Sequence, residues 1–337
     1  MTLVAALALA GCDANSAREI RVVGSSTVFP FTTSVAEAYV NQDGSRRPPV
    51  VESIGTGAGI KRFCDGAGWE FPDIVNASRR IKRSEYDLCE KNGVGAILEV
   101  QIGVDGVALA EANDGPKLQL SKRDIYLALA ANPGGKPNAA KTWHDVNASL
   151  PAVPIQVMGP PSTSGTRDAL VELILEPGCA EAEANAHALK AAEDKGPYDK
   201  LCKRIRDDGA YIDKGENDNL IVQGLAQNPN AVGVFGYSYL EENANRLHGV
   251  PIDGIAPSYA SIAGGAYPGA RPLFLYVKQR HLRAVPGLND FVMLYTTMWG
   301  PGGTLVKRGL IAAPDAVRAR SLAIVRQGIA LDPAGLH

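Results

Sequence analysis

Two hydroxyl side chains, a glycine and a guanidinium stand together at Ser164-Gly165-Thr166-Arg167, inside the stretch from Gly159 to Arg167. An alternating pattern (Ile155, Val157) precedes them and an apolar helical run (Leu170, Leu173, Ile174) follows. They therefore occupy a turn where a strand gives way to a helix. The first turn of a helix carries N–H groups without carbonyl partners and the positive end of the dipole, which suits an anion. Ser164 and Thr166 add neutral donors, Gly165 allows close backbone approach, and Arg167 brings a forked cation. A single junction of this kind is ordinarily no more than a cap.

The chain repeats it. Residues 19–23 read as a strand leading into Gly24-Ser25-Ser26-Thr27-Val28-Phe29-Pro30, and a helix follows with Phe31, Val35 and Tyr39 on one face. Val50 and Val51 lead into Gly55-Thr56-Gly57-Ala58-Gly59, before a short helix carrying Ile60 and Phe63. A buried-strand pattern over 73–77 ends at Ser78 and Arg79, whereas Arg80, Lys82 and Arg83 read as surface. Several helix starts converging on one small oxyanion would make a binding site out of peptide dipoles.

The elements that must position these loops follow from size and pattern. At 337 residues, 45% apolar and 21% charged, the chain reads as an ordinary globular protein of two domains. Its net charge of −2 and lack of a basic run exclude nucleic acid as an expected partner. From 19 to about 105 strands alternate with helices, the mark of an α/β unit. The apolar stretch 97–110, interrupted at Gly103 and Asp105-Gly106, reads as a crossover between units. Ser121 is a plausible cap for a helix within 118–130, and 131–140 is a loop. Trp143 reads as packed and His144 as surface. Ala180–Ala192 reads as one surface helix, Asn217 or Asp218 as the cap of the next, and 231–237 as a buried strand. Residues 272–278 form a strand returned to the first unit, 288–299 form a helix, and 315–330 are a helix or a helix–strand mixture.

The apolar run Leu3–Ala10 is too short to span a bilayer and ends in small residues before Cys12. It resembles a lipoprotein signal over 1–12 with Cys12 as the lipidated residue, which places the mature chain in the periplasm on a lipid anchor. Cys64, Cys89, Cys179 and Cys202 remain, an even number that fits an exported chain. Nearest-neighbour pairing gives Cys64–Cys89 and Cys179–Cys202, though three connectivities are open. The cysteine spacings are not those of a zinc site. The five histidines (144, 187, 248, 281, 337) stand in no triad-like motif. No enzyme activity, metal or cofactor is expected; a phosphatase or hydrolase using Ser164 or Ser26 is the rival reading.

Taken in order, Gly24 to Pro30, Ala77-Ser78-Arg79, Ser164-Gly165-Thr166, Asp218-Asn219 with Val222-Gln223-Gly224, Gly233 to Tyr237 and Arg271-Pro272-Leu273-Phe274 resemble the periplasmic phosphate-binding proteins of the PstS type. The resemblance implies the type II periplasmic binding protein-like fold. In it, two α/β lobes are joined by two crossover strands, with ligand held in the cleft between them. Here lobe I would be 19–105 with 262–337, and lobe II 106–261. It also implies a monomeric receptor that hands inorganic phosphate to the permease and ATPase of an ABC importer. By position, Ser26, Thr27 and the Val28 amide, Thr56, Ser78 and Arg79, and Ser164, Gly165, Thr166 and Arg167 would hold the ligand. Two departures stand out. Arg79 occupies a position where much of the family has a proton-accepting aspartate, and the acidic residue that often precedes Ser-Gly-Thr is replaced by Ser162-Thr163. A site of donors alone would take sulfate as readily as phosphate, so another carboxylate must supply the acceptor. Asp73, Asp105 and Asp218 are the candidates. A receptor for sulfate or molybdate on the same fold is the nearer alternative.

Overall fold

The computed structural model describes residues 18–215 and 217–336; Cys12 and the apolar segment before it lie outside the described residues. Strands β1 (Arg21–Gly24), β2 (Val50–Ser53) and β3 (Ile74–Ala77) are parallel, with Gly24 level with both Ser53 and Asn76. Valine and isoleucine dominate all three, and β-branched side chains favour the extended backbone. β4 (Ile97–Ala112) is one strand of 16 residues. The irregularity expected near Gly103 does not break it; a register shift between Gln101 and Gly103 absorbs it.

β5 (Val157–Gly159), β6 (Tyr211–Asp213) and β7 (Val232–Gly236) build the second lobe, where β8 (Leu247–Gly249) pairs with the end of β4. β9 (Ala270–Lys278) returns antiparallel between β3 and β4. The strand order is β2-β1-β3-β9-β4-β7-β5-β6. β4 thus belongs to both lobes: its first part pairs with β9 and its last with β7.

Three apolar cores follow from this path. Val22, Phe31, Val35, Phe291 and Tyr295 pack on one face of the first lobe's sheet, and Ile60, Phe63, Tyr86 and Tyr276 on the other. Tyr126, Trp143, Leu170 and Phe235 fill the second lobe, where Ile262 and Tyr267 join them. Both local disulfides are present, Cys64–Cys89 and Cys179–Cys202. A loop of this length is worth about 3 kcal/mol in the chain-entropy account. Replacing Cys64 and Cys89 together by serine is expected to lower the urea-unfolding free energy by about that amount. An unshifted midpoint would show that the bridge does not constrain the unfolded chain.

Two expectations change. The single helix expected over 180–192 is two, Glu176–Ala182 and Ala186–Ala191. Glu183 leaves the helix because its carboxylate accepts from the Tyr126 hydroxyl and the Gly134 amide. The stretch 315–330, read as a helix or a helix–strand mixture, is a helix over Asp315–Gln327. No helix among the described residues is long and apolar enough to cross a membrane.

Candidate functional site

Loops that leave the C-terminal ends of adjacent parallel strands emerge side by side. Because Gly24, Ser53 and Asn76 are in register, the loops at Ser25–Val28, Gly55–Thr56 and Ser78 share one edge of the sheet. Gly24 has a positive φ, and a Cβ there would fall 2.2 Å from the Asn76 carbonyl oxygen, so only glycine brings the first loop this close to the third. The Ser25 amide donates to that same carbonyl at 3.0 Å. Behind it, the Tyr295 hydroxyl donates to Thr32 and Thr32 to Asn76, so the helix Leu288–Met298 braces the loops.

Hydroxyl bookkeeping shows what this edge presents. The Ser78 amide donates to Thr56 Oγ1 at 3.1 Å and the two hydroxyls are 2.9 Å apart. The Ser78 amide thus fills one acceptor site of the Thr56 oxygen, and either hydroxyl can donate to the other. Thr27 is held the same way: Arg271 Nη2 donates to its Oγ1 at 2.6 Å.

Arg271 is the centre of the arrangement. It is 5% exposed and stands directly opposite Asp105 on the two crossover strands, donating through Nε to Asp105 Oδ2 at 3.2 Å. Its Nη1 reaches Glu172 on the second lobe at 2.5 Å. Burial pushes the Asp105 carboxyl above its ordinary range, and the Arg271 guanidinium pulls against that shift.

The second lobe faces this edge with the start of the helix Gly165–Leu170. Ser164 caps it, its hydroxyl oxygen accepting from the Thr166 amide at 3.2 Å, which leaves the hydroxyl proton to donate. The lobes are closed on one another. Ser26 donates to Asp168 at 2.7 Å, and the Thr27 hydroxyl lies 3.4 Å from the Gly165 carbonyl. A cavity of about 450 Å³ runs beside this contact, lined by Ser26, Thr27, Asp105, Ser164–Thr166 and Asp218 among others. A Cβ on Gly165 would fall 2.8 Å from Thr27 Cα, a backbone atom that cannot yield cheaply. Gly165→Val is therefore expected to hold the lobes apart, read as a larger radius of gyration in solution scattering with an unchanged circular dichroism spectrum. A radius equal to the parent's would reject this contact as the closing surface.

The other expected residues are placed plainly. Arg79 makes two bonds to Glu85, at 2.9 and 2.7 Å, with Nη2 4.0 Å from where a Cβ on Gly57 would lie. Arg167 lies 3.9 Å over the Tyr211 ring and bonds the Pro160 carbonyl, so its side chain is held against lobe II. Burial pushes the Tyr211 phenol up to about 12 against the pull of that guanidinium. The Val28 amide faces Ser25 Oγ at 3.4 Å.

Of the three candidate acceptors, Asp73 is at the far end of the sheet, holding Arg18, the Arg21 amide and His281. Asp105 and Asp218 both line the cavity, and Asn217 is the helix cap. Asp168, Glu172 and Arg271 were not anticipated as site residues. Their signals were polar residues four apart in an apolar helical run, and an arginine beginning an otherwise apolar strand. His144, His248 and His281 bond the Leu150 carbonyl, Glu111 and Asp73, away from Ser26 and Ser164. Among the described residues no three His, Cys, Asp or Glu side chains cluster as a metal site would require.

Comparison with known proteins agrees with this architecture. A profile of the PBP superfamily domain matches residues 13–297. The chain belongs to the PBP superfamily. Within that superfamily it is 32% identical over 280 residues to protein SphX of Synechococcus elongatus, covering 81% of this chain and 71% of the relative. It is 28% identical over 303 residues to the phosphate-binding protein PstS of Staphylococcus haemolyticus, covering 88% and 82%. A crystal structure of a possible phosphate binding protein from Planctomyces limnophilus superposes with a TM-score of 0.74 at 28% identity, over 92% of this chain and 98% of that one. An ABC-type phosphate transport receptor from Vibrio cholerae shares the fold, with a TM-score of 0.58 at 18% identity over 87% and 99% of the two chains.

Proposed function

We propose that this chain captures inorganic phosphate between its lobes and delivers it to the permease and ATPase of an ABC importer. The observation that carries the proposal is the buried Arg271, which grips Thr27 of lobe I and Glu172 of lobe II at once. A tetrahedral anion entering this point meets the Thr27, Thr56 and Ser164 protons and the first amides of the helix at Gly165. Glu172, half-exposed, is the exchangeable partner: phosphate would take the Nη1 it occupies, while Asp105 keeps Nε. Ser78 acts by filling Thr56, and the Val28 amide closes the first loop over the ligand. Arg79 and Arg167 act from the rim.

Charge-assisted bonds in such a closed, poorly hydrated place are worth more than in water. Lobe closure around the ligand would be of the hinge type, with both crossover strands bending together. Lobe I is taken as 19–105 with 262–337 and lobe II as 106–261, the segment around Ile262–Tyr267 leaning on lobe II. A lipid anchor at Cys12 would hold the receptor, as a monomer, on the periplasmic side of the membrane, and binding would proceed without turnover.

Calorimetric titration of the purified chain with phosphate and with sulfate at pH 6 and pH 8 tests the reading. Tight phosphate binding with weak sulfate binding supports it. Equal affinities would favour a general oxyanion receptor, and release of the phenol from an aryl phosphate would revive the hydrolase.

A further inference from the structure

The strongest feature unused by the cleft lies at the opposite end of lobe I. β9 runs from Arg271 at the cleft to Lys278, and β4 begins there with Ile97 opposite Lys278. At this far end a groove of about 650 Å³ is lined by Gln279, Arg280, Arg283, Asn289, Arg326 and Gly328. The three guanidiniums come from two segments, Arg280 and Arg283 from the start of the helix His281–Ala284 and Arg326 from the helix Asp315–Gln327; they are exposed and have no hydrogen bond or ion pair among the described residues. Of the neighbouring acids, Asp290 pairs with Arg46 and Asp73 with Arg18, the Arg21 amide and His281, while Glu70 stands exposed beside Trp69.

Exposed apolar side chains flank the same end. Trp69 is 58% exposed, stacks on His281 and carries the Arg18 guanidinium 5.1 Å over its ring. Ile329, 45% exposed, follows Gly328 of the groove. Unpaired arginines beside an exposed tryptophan match the chemistry of a bilayer surface, where guanidiniums meet lipid phosphates and indole rings settle at headgroup depth.

Arg18 gives the end its direction. It donates to the Phe71 carbonyl at 2.9 Å and pairs with Asp73. It stands six positions beyond Cys12, a reach of about 20 Å at full extension. On the reading of Cys12 as lipid-attached, this end of lobe I is the part of the fold held nearest the membrane.

We propose that this far face of lobe I, centred on Arg280, Arg283 and Arg326 with Trp69 at its edge, docks on anionic phospholipid headgroups in the receptor's resting state, and that the receptor leaves this surface when its cleft turns to the permease. The docking does not depend on which anion the cleft holds.

The test uses the mature chain from Asp13, without Cys12 and the apolar run before it, so that neither an acyl chain nor the signal contributes, with vesicles of phosphatidylglycerol and phosphatidylcholine against phosphatidylcholine alone. Each guanidinium near an anionic surface contributes about a fivefold gain in partitioning, so Arg280→Gln, Arg283→Gln and Arg326→Gln together are expected to lower partitioning about a hundredfold. Trp143 and Trp299 are buried, so the emission change on adding vesicles reports Trp69, and a blue shift is expected only with the anionic lipid. Phosphate titration of the triple variant is expected to match the parent's, which separates this proposal from the reading of the cleft. Equal partitioning onto both vesicle types, an unshifted emission, or a triple variant that partitions like its parent would each overturn the docking.

Discussion

Arg271→Met is expected to weaken phosphate binding by at least about thirtyfold while leaving the secondary structure intact. The guanidinium touches both lobes and a buried carboxylate at once, through Thr27, Glu172 and Asp105. Truncating one partner of a buried, hydrogen-bonded charge pair costs about 2–5 kcal/mol, part of it the penalty of stranding the other charge. The stranded charge is Asp105, and it gives the variant a pH signature. Burial already raises this carboxyl, and without Arg271 its main restraint is gone.

A carboxyl whose folded-state pKa exceeds its unfolded value favours folding in its protonated form. That advantage is lost as pH rises through the folded value. The variant's deficit in melting temperature against wild type should therefore be small near pH 5 and full near pH 8. Arg271→Lys keeps the charge but not the fork, and its affinity should fall between the two. Wild-type phosphate affinity in Arg271→Met would remove the central residue from the proposed site.

Asp105→Asn is expected to shift selectivity rather than abolish capture. Phosphate at neutral pH still carries a proton, and a carboxylate that accepts it rewards phosphate alone, whereas sulfate has no proton to give. Asparagine keeps the shape and an acceptor for Arg271 Nε but removes the negative charge. The ratio of phosphate to sulfate affinity should fall by about tenfold to a hundredfold, from the net worth of a bond to a charged group. Wild type should drift the same way as pH drops through the raised Asp105 value. If the ratio is unchanged in Asp105→Asn and collapses in Asp218→Asn, the acceptor is Asp218, which lines the same cavity.

Much of the fold was legible because its signals are local. The Val22–Val23 and Val50–Val51 strands, the Phe31, Val35, Tyr39 face, the Ser121 cap and the neighbouring disulfides each depend on residues close in sequence. The helix over 180–192 failed because a distant partner intervened: Glu183 bonds Tyr126 and Gly134, and alanine-rich composition says nothing of that.

The sequence by itself determined that hydroxyl and glycine loops lie at strand ends and helix starts, since hydrogen-bonding chemistry and backbone freedom are properties of single residues and near neighbours. Which cation stands in contact with those loops was decided only by tertiary structure. Arg79 and Arg167 sit beside the loops in sequence yet are held by Glu85 and Tyr211, while Arg271 arrives from 244 positions beyond Thr27. The reason is the register of β4 against β9, which sets Arg271 opposite Asp105. Register is a relation between distant segments, and no local pattern encodes it.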